Sequence, residues 1–349
     1  MVKKSKNLLI ISAVVLVVVI FTVSLFSSMT NDAEASNFAM GSPVDIKVYG
    51  EKDGDALCGY AIERIKFIDN AYLSHTISTS AVSTLNRDGK LTADKWFDDY
   101  LTECVELSAK SDSFTLFSGD MKDLWQIENG GYVPTDSEIA DLLQQLENTE
   151  LAINSNKMTL QNGKIDLGAL GKGTACGEAI DYLKKQNVEK ALVTVGGSIG
   201  AIGDESFSIG VRNPFGGQND YFAILNVTNC FVSTSGDYEK YFERDGIRYS
   251  HIFDATTGKP VQNDITSVTV VAESFFSGEE KDYAQRVLGV YFTSTGCTSC
   301  PTATNGIKSL QKANPDMISV VAFHSDMGAV ADPMMIPETA EFNSALGGF

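Results

Sequence analysis

Residues 166–203 read DLGALGKGTACGEAIDYLKKQNVEKALVTVGGSIGAIG, and the rest of the chain is organised around them. Two glycine-rich turns bracket a helix that the apolar spacing predicts over 174–186 and a buried strand at 191–195. Glycines at 168, 171 and 173 permit close backbone approach or positive φ where the helix begins. A helix start offers free N–H groups to phosphate, and Lys172 adds a full charge. An ordinary helix–strand unit fits these residues equally well, because one glycine-rich loop is a weak signal.

Composition narrows the class of protein. The chain has 349 residues, of which 43% are hydrophobic, and its formal net charge is −18. This hydrophobic content is that of a folded protein. The length is sufficient for one large domain or two smaller ones. A surface this acidic repels nucleic acid, so no nucleic-acid partner is expected. Any phosphate ligand needs local cations, helix termini or a metal ion.

Four of the six cysteines stand singly among apolar neighbours, at 58, 104, 176 and 230. This pattern predicts buried free thiols rather than disulfides. The other two, Cys297 and Cys300, form a CxxC pair.

The N-terminal residues are predicted to be an export signal. Three lysines precede an almost wholly apolar run at 8–26, which is long enough to span a bilayer once. Residues 1–28 are therefore predicted to be a signal anchor or a signal peptide, and 29–37 a linker. Ala33-Glu34-Ala35 resembles a cleavage site but lies far beyond the apolar run, which favours an uncleaved anchor. The remaining chain is expected outside the cytoplasm, held at the cell membrane.

Periodicity and turn residues predict mixed helices and strands along the middle of the chain. Residues 73–86 are expected to be a polar loop, 112–125 irregular, and the hairpin within 151–167 to turn at Asn162-Gly163. Helices are predicted at 54–73, 94–111 and 134–145, and strands at 40–49, 207–211, 221–227, 230–234 and 265–272.

Seven motifs, taken in their order along the chain, resemble the ApbE family of FAD:protein FMN transferases. They are Met40-Gly-Ser; Leu73-Ser to Leu85-Asn86; Phe114 to Leu124-Trp125; DLGALGKG from 166; ALVTVGGSI from 191; TSGDYE from 234; and SHIFDATTGKP from 250. The resemblance covers about residues 40–272. It implies an α+β, T-fold-related domain of mixed sheet and helices over 38–276.

The resemblance also implies an activity. Such an enzyme splits FAD with Mg²⁺, places FMN on a Thr hydroxyl of an acceptor flavoprotein and releases AMP. An exported acceptor is expected, for example a component of a membrane redox complex.

Site residues follow from matched motif positions. His251 is expected to be the base, a role that suits imidazole near neutral pH, although a core histidine is the alternative from the residue alone. The Gly171 carbonyl and Asp282 are expected to bind the metal. The residues expected to line the FAD site are Met40, Thr76, Thr115, Leu116, Phe117, Asp166, Lys172, Thr174 and Ile252.

The chain departs from the family pattern after residue 272. Where the family has an Ala-Asp-Ala-Leu-Ala-Thr-like helix, Asp282 is available for the Asp, but Arg286 stands where the Thr belongs. An Arg cannot be a metal ligand. One alternative function is therefore FAD binding without transfer.

Residues 282–349 resemble the first half of a thioredoxin-like domain, with the order strand, CxxC, helix, strand. In such a domain Cys297 attacks, because a helix start lowers its pKa, and Cys300 resolves. A second alternative function is therefore thiol–disulfide exchange. Half of a metal site is less favoured, because no second CxxC or histidine pair stands at zinc spacing.

Overall fold

The computed structural model describes residues 31–110, 114–217, 220–262, 265–272, 287–293 and 318–324. The predicted N-terminal anchor, Asp282, Arg286 and the CxxC pair lie outside these residues. Among the residues described, no helix is long and apolar enough to cross a bilayer.

A six-stranded antiparallel sheet forms the centre of the fold, in the order β1-β2-β6-β7-β10-β15. Its inward positions alternate with outward ones, as in β2, where Val44, Ile46 and Val48 are fully buried. The strands are β1 (Asn31–Ala39), β2 (Ser42–Glu51), β6 (Ala191–Val195), β7 (Ser198–Ile202), β10 (Phe231–Gly236) and β15 (Ser267–Ala272).

Strand β1 occupies most of the segment that the sequence predicts to be a linker, 29–37. It pairs with β2 from Asn31 to Ala39, with Ala33 and Ala39 buried. The segment lacks the long apolar alternation that indicates a strand, and its place is set by the backbone hydrogen bonds that β2 offers at its free edge.

Helices α1 (Gly54–Ile68) and α6 (Gly168–Lys185) cover one face of this sheet. The predicted stripe on α6 is confirmed, since Ala175, Ala179, Ile180 and Leu183 are all fully buried. The helix begins six residues earlier than predicted, so the glycine-rich segment is its first turn rather than a loop before it. None of Gly168, Gly171 and Gly173 has positive φ.

The glycines of this turn serve close packing instead. A Cβ on Gly171 would lie 3.2 Å from Met40 Cε and 3.3 Å from Leu73 Cδ1. The left-handed conformations occur in the second turn of the stretch, where Gly196 has φ +56°.

The remaining helices surround this core. They are a π-helical turn (Asp69–Leu73) that continues α1, then α2 (Ala81–Asp88), α3 (Lys95–Ser108), α4 (Gly119–Trp125) and α5 (Asp136–Glu147). Two of them correct the sequence prediction. Helix α2 lies in the expected polar loop, because Ser80 caps it through Ser83 N and Val82 and Leu85 are buried beneath its polar exterior. Helix α4 lies in the segment expected to be irregular.

The predicted hairpin is present, but its turn was wrongly placed. Strand β4 (Glu150–Asn154) pairs with β5 (Lys157–Gln161), and β5 also pairs with β3 (Lys90–Thr92). The chain reverses at Ser155-Asn156, where Ser155 takes φ +52°. Asn162 also has positive φ, so Asn-Gly marks a second turn after the hairpin.

Short strand pairs complete the described chain. They are β8 (Phe207–Arg212) with β9 (Tyr221–Val227), β11 (Tyr241–Arg244) with β12 (Ile247–Ser250), and β13 (Phe253–Asp254) with β14 (Lys259–Pro260). Strands β16 (Val287–Thr293) and β17 (Ile318–His324) pair in parallel, which confirms the two strands predicted on either side of the CxxC segment. The four single cysteines are buried free thiols, as predicted.

Replacing Gly197 by alanine is expected to destabilise the fold by about 1–3 kcal/mol. The new Cβ would lie 2.6 Å from the Thr234 carbonyl oxygen, at the point where β7 meets β10. Chemical denaturation measures the change. The control is Gly59→Ala in α1, where a Cβ meets nothing within 4 Å and a helical alanine stabilises slightly. Equal stability of the two variants would contradict the close approach of the backbones.

Candidate active site

Five segments meet at one end of the central sheet. The β1–β2 turn at Met40-Gly41 adopts left-handed conformations at both residues, with φ +54° and +65°. The β6–β7 turn is joined to the neighbouring strands, since Gly196 N donates to Pro43 O at 2.9 Å and Thr234 N donates to Gly197 O at 2.9 Å. The first turn of α6, helix α4 and residues 240–251 complete the site.

Lys172 extends from the first turn of α6 over the β6–β7 turn. A Cβ on Gly196 would lie 3.4 Å from Lys172 Cδ, so the glycine leaves room for the lysine stem. The side chain is half-buried, and it makes no ion pair within the described part of the chain. Burial lowers the pKa of Lys172, and the ammonium of Lys240 lowers it further. A cation with these surroundings is suited to bind an anion from outside the chain.

His251 lies within electrostatic reach of the same cation. Its backbone N donates to Lys240 O at 3.0 Å, and its Nδ1 lies 3.2 Å from the same oxygen. Because a carbonyl only accepts, Nδ1 carries the proton in the neutral ring and Nε2 keeps a free lone pair. Burial lowers the pKa of His251, and the charges of Lys172, Lys240 and Lys122 lower it against the opposing effect of this hydrogen bond. The ring is therefore neutral at pH 7 and can accept a proton at Nε2.

Lys240 lies across the site from α6. Its Nζ bonds to Glu128 Oε2 at 2.8 Å, and it lies 3.8 Å from the position of a Cβ on Gly41. Burial is the largest single influence on Glu128 and raises its pKa, but the hydrogen bond to Lys240 and the charges of Lys240 and Lys122 together outweigh burial and leave that pKa below its ordinary value. The ion pair thus stays intact at neutral pH.

Asp166 anchors a second cation. The residue is 5% exposed, its Oδ1 accepts from Gly168 N at 2.8 Å, and its Oδ2 lies 2.7 Å from Lys122 Nζ. The exposed ring of His75 lies 3.7 Å from the same oxygen. Burial raises the pKa of Asp166, yet Lys122 and the Gly168 N–H outweigh burial and hold the pKa below its ordinary value. The carboxylate is therefore ionised, and each of its oxygens is bonded within the protein.

The segment preceding α4 joins this network through its backbone. Asp166 N donates to Leu116 O at 2.8 Å, and Thr115 Oγ1 accepts from Phe117 N at 3.1 Å. The Leu116 side chain is 1% exposed and belongs to the core, while Phe117 packs at its margin. Of Thr115, Leu116 and Phe117, Leu116 therefore packs its side chain into the core and reaches the site through its backbone carbonyl.

The structure brings together only some of the expected site residues. Met40 meets Gly171 through its Cε and is fixed by its N–H, which donates to Asp69 Oδ2 at 2.8 Å. Ile252 follows His251 and is half-buried. Thr76 is exposed on the loop before α2, where its hydroxyl lies 3.0 Å from Ser74 Oγ.

Thr174 is directed away from the site. Its hydroxyl lies 3.1 Å from the hydroxyl of Tyr100 and donates to Leu170 O at 3.2 Å, inside the core. Its expected contact with FAD is not supported by this geometry.

The described residues do not form a complete metal site. Within them, no group of three or more His, Cys, Asp or Glu side chains is arranged around a common point. Gly171 is buried in the first turn of α6. Asp166 is already bonded to Lys122 and Gly168, so it is not an open ligand. A metal ion at this end of the sheet would therefore need ligands from outside the described residues.

Three residues of the site were not predicted from the sequence: Lys122, Lys240 and His75. Lys240 follows directly after the TSGDYE motif, and that proximity was the available signal. Lys122 lies in the segment predicted to be irregular, so nothing indicated that a short helix, α4, directs it at Asp166.

Comparison with known proteins shows which family the chain resembles. The family model described as "ApbE family" matches residues 40–289, beyond the 272 to which the motifs extend, and so includes Asp282. A Klebsiella pneumoniae FAD:protein FMN transferase is 30% identical over 249 residues, which are 69% of this chain and 77% of that protein. A Vibrio cholerae FAD:protein FMN transferase is 32% identical over 163 residues, 45% of this chain and 49% of that protein.

Solved structures give the same result. The crystal structure of an ApbE protein from Thermotoga maritima aligns with a TM-score of 0.64 at 28% identity, covering 70% of this chain and 82% of that one. The apo flavinyl transferase ApbE of Pseudomonas stutzeri aligns with a TM-score of 0.60 at 27% identity, covering 70% and 81%.

Proposed function

Since the chain belongs to the ApbE family, we propose that it is an FAD:protein FMN transferase that attaches FMN to a threonine hydroxyl of an acceptor flavoprotein. The products are a protein-bound FMN phosphoester and AMP. The substrate class matches the names of the relatives, and the reaction suits the charges of the site.

One observation carries the proposal. Lys172 is a half-buried cation without a carboxylate partner in the described chain, and its charge acts on an imidazole whose pKa lies below its ordinary value. On a protein of net charge −18, cations gathered at one point indicate a site for a phosphate-bearing ligand. A pyrophosphate fits this arrangement, because phosphoryl transfer depends on positioning and on offsetting oxygen charge.

The proposed chemical step uses two side chains, His251 and Lys172. The acceptor threonine Oγ attacks the phosphorus of the FMN half, and His251 Nε2 accepts its proton. The new P–Oγ bond replaces the P–O bond to the AMP half, which leaves with the bonding electron pair. Lys172 stabilises the negative charge that develops on the phosphate oxygens. The proton on His251 then passes to solvent.

Magnesium is part of the proposal, with the Gly171 carbonyl and Asp282 as its ligands from this chain. When bound, the ion offsets phosphate charge. The described residues do not provide a full ligand set, so each step above is assigned to side chains alone.

We further propose that the enzyme works outside the cytoplasm, anchored by residues 1–28. The lysine-flanked apolar run supports this location. An exported flavoprotein in the same membrane, such as a redox-complex subunit, is the proposed acceptor.

The direct test is a transfer assay. The full chain is incubated with FAD, Mg²⁺ and an acceptor protein that the Klebsiella pneumoniae relative flavinylates, with that relative as the positive control. Intact-mass measurement is expected to show one FMN added to the acceptor and none on its Thr→Val variant. FAD binding without transfer, while the relative transfers, would refute the proposal in favour of a binding protein.

Transfer is expected to lose rate as the pH falls and His251 becomes protonated. Because the pKa of His251 is lowered from 6.5, the base is neutral across pH 7–8 and becomes protonated below pH 6.5. The acid limb of kcat/KM should therefore lie below pH 6.5 and should disappear from the residual activity of His251→Ala. An acid limb above pH 7 would contradict the described surroundings of the ring.

A further inference from the structure

Lys122 occupies a position that its salt bridge alone does not explain. A Cβ on Gly168 would lie 3.2 Å from Lys122 Nζ, so the ammonium lies beside the first residue of α6. Its side chain is 28% exposed, whereas the carboxylate of Asp166 beneath it is 4% exposed. The charge is thus held at the surface of the site by a buried partner.

Asp166, the partner of Lys122, is held in place by two hydrogen bonds to the backbone. Asp166 is fixed through Gly168 N at 2.8 Å and through its own N–H, which donates to Leu116 O at 2.8 Å. Helix α4, which carries Lys122, is fixed at its end by Trp125, whose Nε1 donates to Gly258 O at 2.8 Å. Lys122 is therefore positioned from both sides before any ligand arrives.

The ammonium retains unused hydrogen-bonding capacity. It has three N–H donors, and within the described chain its one close partner is Asp166 Oδ2. The charge of Lys122 lowers the pKa of His251 and the pKa of Lys172. Lys122 is therefore within electrostatic reach of both side chains.

We propose that Lys122 is a phosphate-binding residue of the flavin nucleotide site and that Asp166 is its positioning partner. Asp166 holds one N–H of the ammonium and directs the others toward the ligand. This inference rests on the proposed function, since the ligand is taken to be FAD.

The test compares two flavins that differ in phosphate. Affinities of the full chain for FAD and for riboflavin, which has no phosphate, are measured by flavin fluorescence. Lys122→Met is expected to weaken FAD about tenfold and to leave riboflavin unchanged, because one charge-assisted contact is lost. Lys122→Arg should recover most of the loss. Asp166→Asn should weaken FAD in the same selective way.

A matched control and three outcomes decide the result. Lys164→Met removes an exposed lysine that pairs with Asp123 on α4, and it should change neither affinity. Unchanged FAD affinity in Lys122→Met, or equal losses for both flavins, would overturn the proposal and reduce Lys122 to a structural counter-ion. A wild-type chain that binds no FAD would overturn the proposed function itself and this inference with it.

Discussion

Replacing His251 by alanine is expected to lower FMN transfer by about 10²–10⁴-fold while FAD still binds. The reason is geometric, because Nδ1 is occupied by Lys240 O at 3.2 Å and Nε2 is the free acceptor for the threonine proton. The measurement is single-turnover transfer followed by acceptor mass, with FAD affinity measured in parallel.

A second variant separates chemistry from packing. His251→Asn keeps an amide near the position of Nδ1, able to donate to the Lys240 carbonyl, but it provides no base. It should lose transfer as fully as His251→Ala and fold as stably as the wild type. Transfer by His251→Asn at the wild-type rate would show that the imidazole is not the base.

Replacing Lys172 by methionine is expected to lower kcat/KM for transfer by about 10²–10³-fold. Methionine retains the apolar stem over Gly196 but removes the charge, and the described chain offers no carboxylate that the change would leave unpaired. FAD affinity should fall by about 10–100-fold in the same variant.

The control for charge alone lies on the same helix. Lys184→Met removes a lysine from the last turn of α6, far along the helix from its first turn, and should leave transfer and FAD affinity unchanged. If Lys172→Met and Lys184→Met lowered transfer equally, the effect would come from net charge and not from a phosphate contact.

The sequence was sufficient to predict the elements whose patterns are periodic. The stripe on α6, the strand at 191–195 and the glycine turn after it are all present. Family motifs also indicated His251 and Lys172, and the structure places both at one end of the sheet.

Contacts between residues far apart in the sequence could not be predicted from periodic patterns. Lys122 meets Asp166, and Lys240 meets Glu128, across 44 and 112 residues of sequence, so no local pattern links them. Thr174 matched a motif position, but the rotation of α6 directs its hydroxyl to Tyr100 in the core. Strand β1 was missed because its place depends on the edge that β2 provides.

The transfer assay on the wild-type chain tests the central claim most directly. With FAD, Mg²⁺ and an acceptor used by the Klebsiella pneumoniae relative, we expect one FMN on the acceptor threonine and one AMP released per FMN attached. Bound FAD with neither product, under conditions in which the relative gives both, would contradict it.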